Sequence, residues 1–197
     1  MFRLLRPKNA DVEIGFTTLE LVLSVAIIGV VCASAFVAYN NALPSIRADS
    51  GMQLLQAALR QARETSVDTR RSFTVTFQGT SELVGAATGV TCSSSTTYPC
   101  FDYFLPEQMV YTLFTGLPDT PDGFGNTSAV NYNCPNGTLP CTITFQSDGS
   151  VLDGNNASNN GSIFIGVAGQ TQTARAVTVL SSTGKIKGWR YNGTAWE

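Results

Sequence analysis

Residues 16–39, FTTLELVLSVAIIGVVCASAFVAY, form an apolar run that carries one charged side chain, Glu20. As an α-helix this run is about 36 Å long at ~1.5 Å per residue. The hydrocarbon core of a bilayer is about 30 Å thick. The run therefore predicts one membrane-spanning helix, and this helix decides where the rest of the chain is placed.

Residues 1–15, MFRLLRPKNADVEIG, are short and polar. Arg3, Arg6 and Lys8 favour a cytoplasmic amino terminus, which leaves the chain after residue 39 on the far side of the membrane. A secretory signal has an apolar core of about 7–15 residues, followed by a small-residue cleavage site. Here the run is longer and the small residue, Gly15, precedes it. A plain signal anchor is the simplest alternative.

Glu20 is the residue that a plain anchor leaves unexplained. A carboxylate in an apolar span costs on the order of 2–3 kcal/mol at the membrane centre and less near the interface, so a partner is expected. Residues 16–39 contain no Lys or Arg. Cleavage after Gly15 would create an amine at Phe16, one helical turn from Glu20. The ion pair could then form within one subunit or between neighbours.

The sequence GFTTLEL at residues 15–21, continued by SVAIIGVV at 24–31, resembles the class III signal sequence of type IV pilins and pseudopilins. The resemblance implies that an inner-membrane prepilin peptidase cleaves between Gly15 and Phe16 and N-methylates Phe16. It also implies that Glu20 pairs with the terminal amine of a neighbouring subunit during filament assembly. The expected partners are this peptidase, other major and minor pilins or pseudopilins, and the inner-membrane assembly platform.

The composition argues against catalysis. The 197 residues have a net charge of −2, and 13% of them are charged, against about 25% in an average protein. The chain contains no histidine, which excludes Ser-His-Asp and Cys-His catalysis and histidine-ligated metal sites. It also contains no Walker motif, dinucleotide fingerprint or nucleophile elbow. We therefore expect neither an enzyme nor a cofactor or metal site.

Residues 40–71 continue the helical pattern on one face only. Apolar and small side chains recur there at three- and four-residue steps, at Met52, Leu55, Leu59, Ala62 and Ser66. This stripe predicts an amphipathic continuation of the membrane helix that docks on a sheet. Pro44 and Gly51 are expected to bend or loosen the helix near the membrane exit.

The period changes to two in residues 72–197. Segments rich in β-branched and aromatic residues predict strands at SFTVTFQ (72–78), MVYTLF (109–114), TITFQ (142–146), SIFIGVA (162–168), AVTVLS (176–181) and KIKGWRY (185–191). Turn-forming residues fill the loops at 117–126 and 152–161 and a tight turn at 182–184. The expected fold is α+β: a long amino-terminal α-helix, transmembrane in its first half, packed on an antiparallel β-sheet that forms one periplasmic head domain.

The five cysteines fall into two groups. Cys32 lies in the apolar span and is expected to act as a small apolar residue. Cys92, Cys100, Cys134 and Cys141 lie in the exported part, where disulfides persist. Four cysteines allow three pairings, and the short loops favour Cys92–Cys100 and Cys134–Cys141. Neither spacing supplies the CxxC pattern of a zinc site.

The chain carries a characteristic order of elements: an Ala- and Arg-rich helix, a strand, an F-x-x-D-G turn and a final strand pair. These elements lie in QLLQAALRQARETSVDTRRSFTVTF (53–77), TFQSDGSV (144–151), GSIFIGV (161–167) and RAVTVLSSTGKIK (175–187). This order is similar to the GspH/FimT/FimU group of minor pilins and pseudopilins. The resemblance implies a subunit that primes or caps a type IV pilus or a type II secretion pseudopilus. Such a subunit waits in the inner membrane, with its amino terminus cytoplasmic and its head periplasmic, and then enters a periplasmic or extracellular filament.

FimT-like members of this group are thought to bind DNA in natural transformation through a carboxyl-terminal Gly-Arg-x-Arg motif. The corresponding residues here are GKIK at 184–187, with Trp189 and Arg190 beside them. The resemblance therefore implies an alternative function, weak DNA capture. The charge distribution agrees, because residues 72–174 contain seven acids and no base, whereas residues 175–197 contain four bases and one acid.

Alternation along a strand puts Lys185, Lys187 and Trp189 on one face, where they could contact phosphates and stack on a base. Lysine keeps the charge of the motif's arginine but loses its bidentate geometry. A solvated basic edge strand, which also prevents unwanted strand pairing, is the competing interpretation. The arginines of the long helix, Arg60, Arg63, Arg70 and Arg71, are expected to be solvated or paired helix charges.

Overall fold

The computed structural model describes residues 17–90, 92, 100–134 and 138–197. In this part of the chain one α-helix, α1 (Thr18–Thr69), precedes ten short strands. The strands are β1 (Phe73–Gln78), β2 (Glu82–Ala87), β3 (Phe101–Phe104), β4 (Met109–Tyr111), β5 (Val130–Asn131), β6 (Cys141–Phe145), β7 (Val151–Leu152), β8 (Gly161–Val167), β9 (Arg175–Leu180) and β10 (Lys185–Arg190). A 3₁₀ turn, Thr171–Thr173, lies before β9. The chain divides into two compact units, residues 1–41 and 42–197.

In the first unit, residues 17–41 are exposed over their whole length. The exposed side chains include large apolar ones, among them Leu19, Val30 and Phe36. By length and composition α1 is able to cross a membrane. Because apolar side chains surround this part of the helix, no single face of it is suited to water.

In the second unit, α1 buries one face. The buried positions are small or aliphatic and recur at helical spacing: Ala48, Gly51, Leu55, Ala58, Leu59, Ala62 and Ser66. Met52, which the sequence placed on this stripe, is half-buried at its edge. The predicted docking of an amphipathic helix on a sheet is therefore confirmed.

The helix ends two residues earlier than predicted. Arg70 adopts a left-handed backbone conformation with φ of 53°. The Arg71 N–H donates to the Ser66 carbonyl at 3.2 Å, and the Arg70 N–H donates to the Val67 carbonyl at 3.3 Å. This is a Schellman cap, which usually has glycine where Arg70 stands. The sequence lacks that glycine, so the predicted helix runs two residues past the end of α1 at Thr69.

α1 continues without a break through both Pro44 and Gly51. Gly51 is buried, and a β-carbon built on it would lie 3.3 Å from the Pro106 ring and 3.4 Å from Ile165. Glycine at this position therefore lets the helix pack closely against the head.

The strands form two antiparallel sheets where the sequence predicted one. The first has the order β3-β2-β1-β6-β7, and the second has the order β10-β9-β8-β4, with β5 also pairing with β8. The sequence did not predict β2, β3, β5 or β7. Gly85 weakens the strand pattern of β2. Glycine fits at this position because the Phe101 ring of β3 occupies the space that a larger side chain would need.

The main core lies between α1 and the two sheets, and a smaller core covers the opposite face of the second sheet. The smaller core consists of Phe114, Phe164, Ala174, Ala176 and Trp196. The second sheet is therefore covered on both faces. This explains why β8 is buried almost continuously instead of at alternate residues.

A buried ion pair joins α1 to the second sheet. Arg175, at the start of β9, is fully buried, and its Nε donates to an Asp49 carboxylate oxygen at 2.6 Å. Its Nη1 donates to the carbonyls of Ala174 at 2.9 Å and Gln172 at 3.2 Å, and its Nη2 donates to the Ser45 hydroxyl at 3.4 Å. The sequence counted Arg175 with the basic carboxyl-terminal residues, but its charge is used inside the head.

Removal of one partner should be costly, because it leaves a buried charge without compensation. We expect Asp49→Ala to lower the free energy of unfolding of the head by about 2–4 kcal/mol. Glu107→Ala, which removes the exposed partner of Arg47 at 3.1 Å, should change it by less than about 0.5 kcal/mol. Urea titration of the full chain in detergent, followed by fluorescence of Trp189 and Trp196, measures both. Equal effects of the two changes would contradict the assignment.

Candidate assembly site and head surface

The predicted cleavage residues, Gly15 and Phe16, lie outside the described residues, and Glu20 lies at the start of α1. The Thr17 hydroxyl accepts a hydrogen bond from the Glu20 N–H at 3.2 Å, so Thr17 caps the helix. Glu20 occupies the first turn, where the helix dipole favours a negative charge. In the sequence, Glu20 follows the predicted cleavage residue Gly15 by five positions.

Polar side chains in the exposed apolar helix satisfy their hydrogen bonds within it. The Ser24 hydroxyl donates to the Glu20 carbonyl at 2.7 Å, and the Ser34 hydroxyl donates to the Val31 carbonyl at 2.9 Å. Cys32 is exposed and forms no disulfide. These serines add little polarity to the helix surface, which suits lipid or other apolar helices.

The four cysteines of the second unit form two disulfides, Cys92–Cys100 and Cys134–Cys141. This is the pairing that the short loops favoured. Cys100 lies directly before β3 and Cys141 begins β6, so each bridge fixes the entry of the chain into a strand. Among the described residues, no group of three or more His, Cys, Asp or Glu side chains could hold a metal ion.

Most of the residues predicted to contact DNA make contacts within the head. The Lys187 amine donates to Asp122 at 2.7 Å, and the Trp189 indole N–H donates to the Thr178 hydroxyl at 3.0 Å. Lys187 also lies 5.1 Å from the centre of the Trp189 ring. Arg190 lies 3.8 Å from Asp49. These contacts leave fewer free cations and hydrogen-bond donors on β10 for a phosphate backbone.

Asp122 anchors the loop at 117–126 onto β9 and β10. It accepts hydrogen bonds from Lys187 and, at 2.6 Å, from the Thr178 hydroxyl. Burial opposes ionisation of Asp122, but these hydrogen bonds and the Lys187 charge hold its pKa below the ordinary value. The sequence placed Asp122 in a loop and gave no signal that it faces Lys187.

Lys185 is exposed and forms no ion pair within the described part of the chain. The fold places it beside Arg60 and Arg63 of α1, in a groove of about 530 Å³ that Glu64 and the turn at 183–184 also line. We call this the basic groove. The sequence treated the helix arginines and the carboxyl-terminal lysines separately, because more than 100 residues lie between them.

Asp153 organises the second predicted loop. It is buried, and its carboxylate accepts backbone N–H bonds from Asn155 and Ala157, each at 2.9 Å. Side-chain amides of Asn159 and Asn133 donate to its other oxygen at 2.6 and 3.1 Å. Burial alone would raise its pKa, but these hydrogen bonds outweigh burial and lower it.

No protein-family model and no curated protein matches the chain. Two solved structures are similar, and both are crystal structures of the type IV minor pilin FimU of Pseudomonas aeruginosa strain PAO1. In space group P65 the TM-score is 0.45 with 17% identity, over 71% of this chain and 90% of that one. In space group P21 the values are 0.43 and 19%, over 71% and 85%. At these identities and scores, the similarity does not by itself assign the chain to a family.

The Asp153 carboxylate predicts a specific acid sensitivity. Its pKa is lowered in the folded state, so its contribution to stability is present above the unfolded value of about 3.9 and is lost as the pH falls through the folded value. We expect Asp153→Asn to lower the free energy of unfolding by about 1–3 kcal/mol at pH 7. The side-chain amides of Asn133 and Asn159 would then face an amide group, which cannot accept all the hydrogen bonds that the carboxylate accepts. The substitution should also flatten the fall in stability below about pH 4.

Urea titrations of the wild type and of Asp153→Asn at pH 7 and pH 3.5 provide this comparison. Asp148→Asn is the control, since Asp148 also accepts hydrogen bonds but is exposed. An unchanged pH dependence in Asp153→Asn would show that the loop does not depend on the ionised carboxylate.

Proposed function

We propose that the chain is a minor pilin or pseudopilin, a structural subunit of a type IV pilus or a type II secretion pseudopilus. Prepilin peptidase cleaves it between Gly15 and Phe16 and N-methylates Phe16. The observation that carries the proposal is the position of Glu20, in the first turn of an exposed apolar helix that continues as the docked helix of a disulfide-bonded head. A carboxylate at this position needs a cation, and the amine released at Phe16 supplies one.

The charge pair explains how assembly is directed. Two charged groups that leave water each lose their solvation free energy. The attraction between them offsets this loss only when they meet in good geometry. A Glu20 carboxylate that meets the Phe16 amine of a neighbouring subunit removes both costs at once. A shift of one helical turn along the filament would separate the charges, so the pair fixes the axial register.

The partners follow from this mechanism. The prepilin peptidase and the inner-membrane assembly platform act while the chain is in the membrane, with its amino terminus cytoplasmic and its head periplasmic. Other major and minor pilins or pseudopilins surround it in the filament, where the head primes or caps assembly. The Gly15-Phe16-Glu20 pattern favours this function over a plain signal anchor, which needs none of these residues. DNA capture has less support, since Lys187, Trp189 and Arg190 are engaged within the head.

The cleavage assignment predicts the behaviour of Gly15→Ala. In cells that contain a prepilin peptidase, the variant should keep residues 1–15 and remain in the membrane at the larger size. Immunoblotting of membrane fractions from cells with and without the peptidase measures this. Ala10→Ser, a change within the leader away from the cleaved bond, is the control. Normal processing of Gly15→Ala would refute the assignment.

The assembly role of Glu20 is separable from its role in capping α1. We expect Glu20→Gln to be cleaved normally but to enter filaments at least about tenfold less well, because a loss of ~1.4 kcal/mol or more in charge pairing corresponds to that factor. Thr17→Ala, which removes the hydroxyl cap but keeps the carboxylate, should enter filaments nearly as well as the wild type. Quantitative immunoblotting of sheared filaments gives both values. Equal losses in the two variants would reduce Glu20 to a helix-capping residue.

A further inference from the structure

The basic groove collects head-domain cations that lack a carboxylate partner. Lys187 pairs with Asp122, Arg175 pairs with Asp49, and Arg47 pairs with Glu107. The cations of the basic groove, Arg60, Arg63 and Lys185, form no ion pair within the residues that the structure describes. With Glu64 also in its lining, the groove has a net charge of +2. A positively charged groove of this kind is suited to an acidic partner.

Two glycine turns lie close to the Arg63 side chain. Gly184, in the turn between β9 and β10, has φ of 60°, and a β-carbon built on it would lie 2.9 Å from the Arg63 Nε. One built on Gly149, in the turn before β7, would lie 3.2 Å from the same atom. Two glycine turns therefore leave room for the Arg63 side chain between them. The Arg63 side chain stays exposed there, so its guanidinium is accessible to a partner.

The chain carries a complementary surface on the outer face of the first sheet, the face that points away from α1. Glu82 and Asp102 lie on the outer face of β2 and β3, across from Phe104 and Val84 in the strand register. Phe104 is 61% exposed beside them. We call these three residues, Glu82, Asp102 and Phe104, the acidic patch; its net charge is −2. An exposed ring next to two carboxylates suits a groove lined with guanidinium groups.

The two surfaces face different directions. The Tyr103 hydroxyl of β3 donates to the Gln61 side chain at 3.2 Å, which places β3 beside the Gln61 flank of the helix. Asp102 and Phe104 alternate with Tyr103 along β3, so the acidic patch points away from α1, whereas residues of α1 line the basic groove. Because the two surfaces face different directions, they do not meet within one molecule. Two copies bring them together in a heterologous, head-to-tail contact, and such contacts form rings or filaments.

We propose that the acidic patch of one copy of this chain docks in the basic groove of the next copy. This inference rests on the proposed function, because it adds a contact between head domains to the contact that Glu20 makes between helices. Opposite charges of equal size steer the two heads together and fix which flank meets which. A second copy fits the groove better than DNA does, because Glu64 repels a polyanion and residues 72–174 supply seven acids with no base.

The test uses two full-length copies with different tags, expressed together and purified in mild detergent. Lys185→Glu should weaken their association about tenfold in low salt. Arg70→Glu makes the same change of charge at an exposed cation outside the groove and should leave association unchanged. Asp102→Lys in both copies should weaken association similarly. When both copies carry Lys185→Glu together with Asp102→Lys, association should return toward the wild-type value, since the charges are then exchanged across every contact.

An unchanged association in Lys185→Glu, or a failure of the combined Lys185→Glu and Asp102→Lys changes to restore it, would overturn the inference. So would binding of a 30-nucleotide single-stranded DNA that is lost in Lys185→Glu while self-association is unaffected, because the groove would then be a DNA site. Protease resistance of the head checks that each variant is folded. Cleavage after Gly15 is measured on the same samples, so a processed chain that does not self-associate refutes this contact and leaves the proposed function standing.

Discussion

One helix must satisfy two different surroundings, and the structure follows from that constraint. Residues 17–41 expose apolar side chains all round, while the same helix buries a single stripe of small and aliphatic residues from Ala48 to Ser66. A surface that is apolar all round requires lipid or other apolar helices. A one-sided stripe requires a sheet. Within the apolar part, the Glu20 carboxylate is the charged group for which the surroundings must supply a partner.

The head holds its part of the helix firmly. Three features of the second unit do this. Gly51 permits close packing, the Arg70 cap ends the helix cleanly, and the buried Arg175 guanidinium binds Asp49 of the helix from the first strand residue of β9. The ion pair also uses charge that the sequence assigned to the surface, so fewer cations of the carboxyl-terminal region are free for an external partner.

The sequence predicted those elements whose signal is local. The apolar run, the amphipathic stripe and strands such as β1, β6 and β9 follow from residue periodicity, and the short cysteine loops favoured the disulfides that form. The sequence-based prediction failed where a residue's structural role depends on a partner that is distant along the chain. β2 looks weak because Gly85 makes room for Phe101, and Lys187 looks free because Asp122 lies in a remote loop. The basic groove was missed for the same reason, since only the fold brings Arg60 and Arg63 to Lys185.

The central claim is that Glu20 acts on an amine that exists only after the chain is cut. Mass spectrometry of the amino-terminal peptide, from protein taken directly from its native membranes, tests this most directly. The account predicts a peptide that begins at Phe16 and carries one additional methyl group on its terminal nitrogen. A peptide that still begins at Met1, in cells with an active prepilin peptidase, would contradict it.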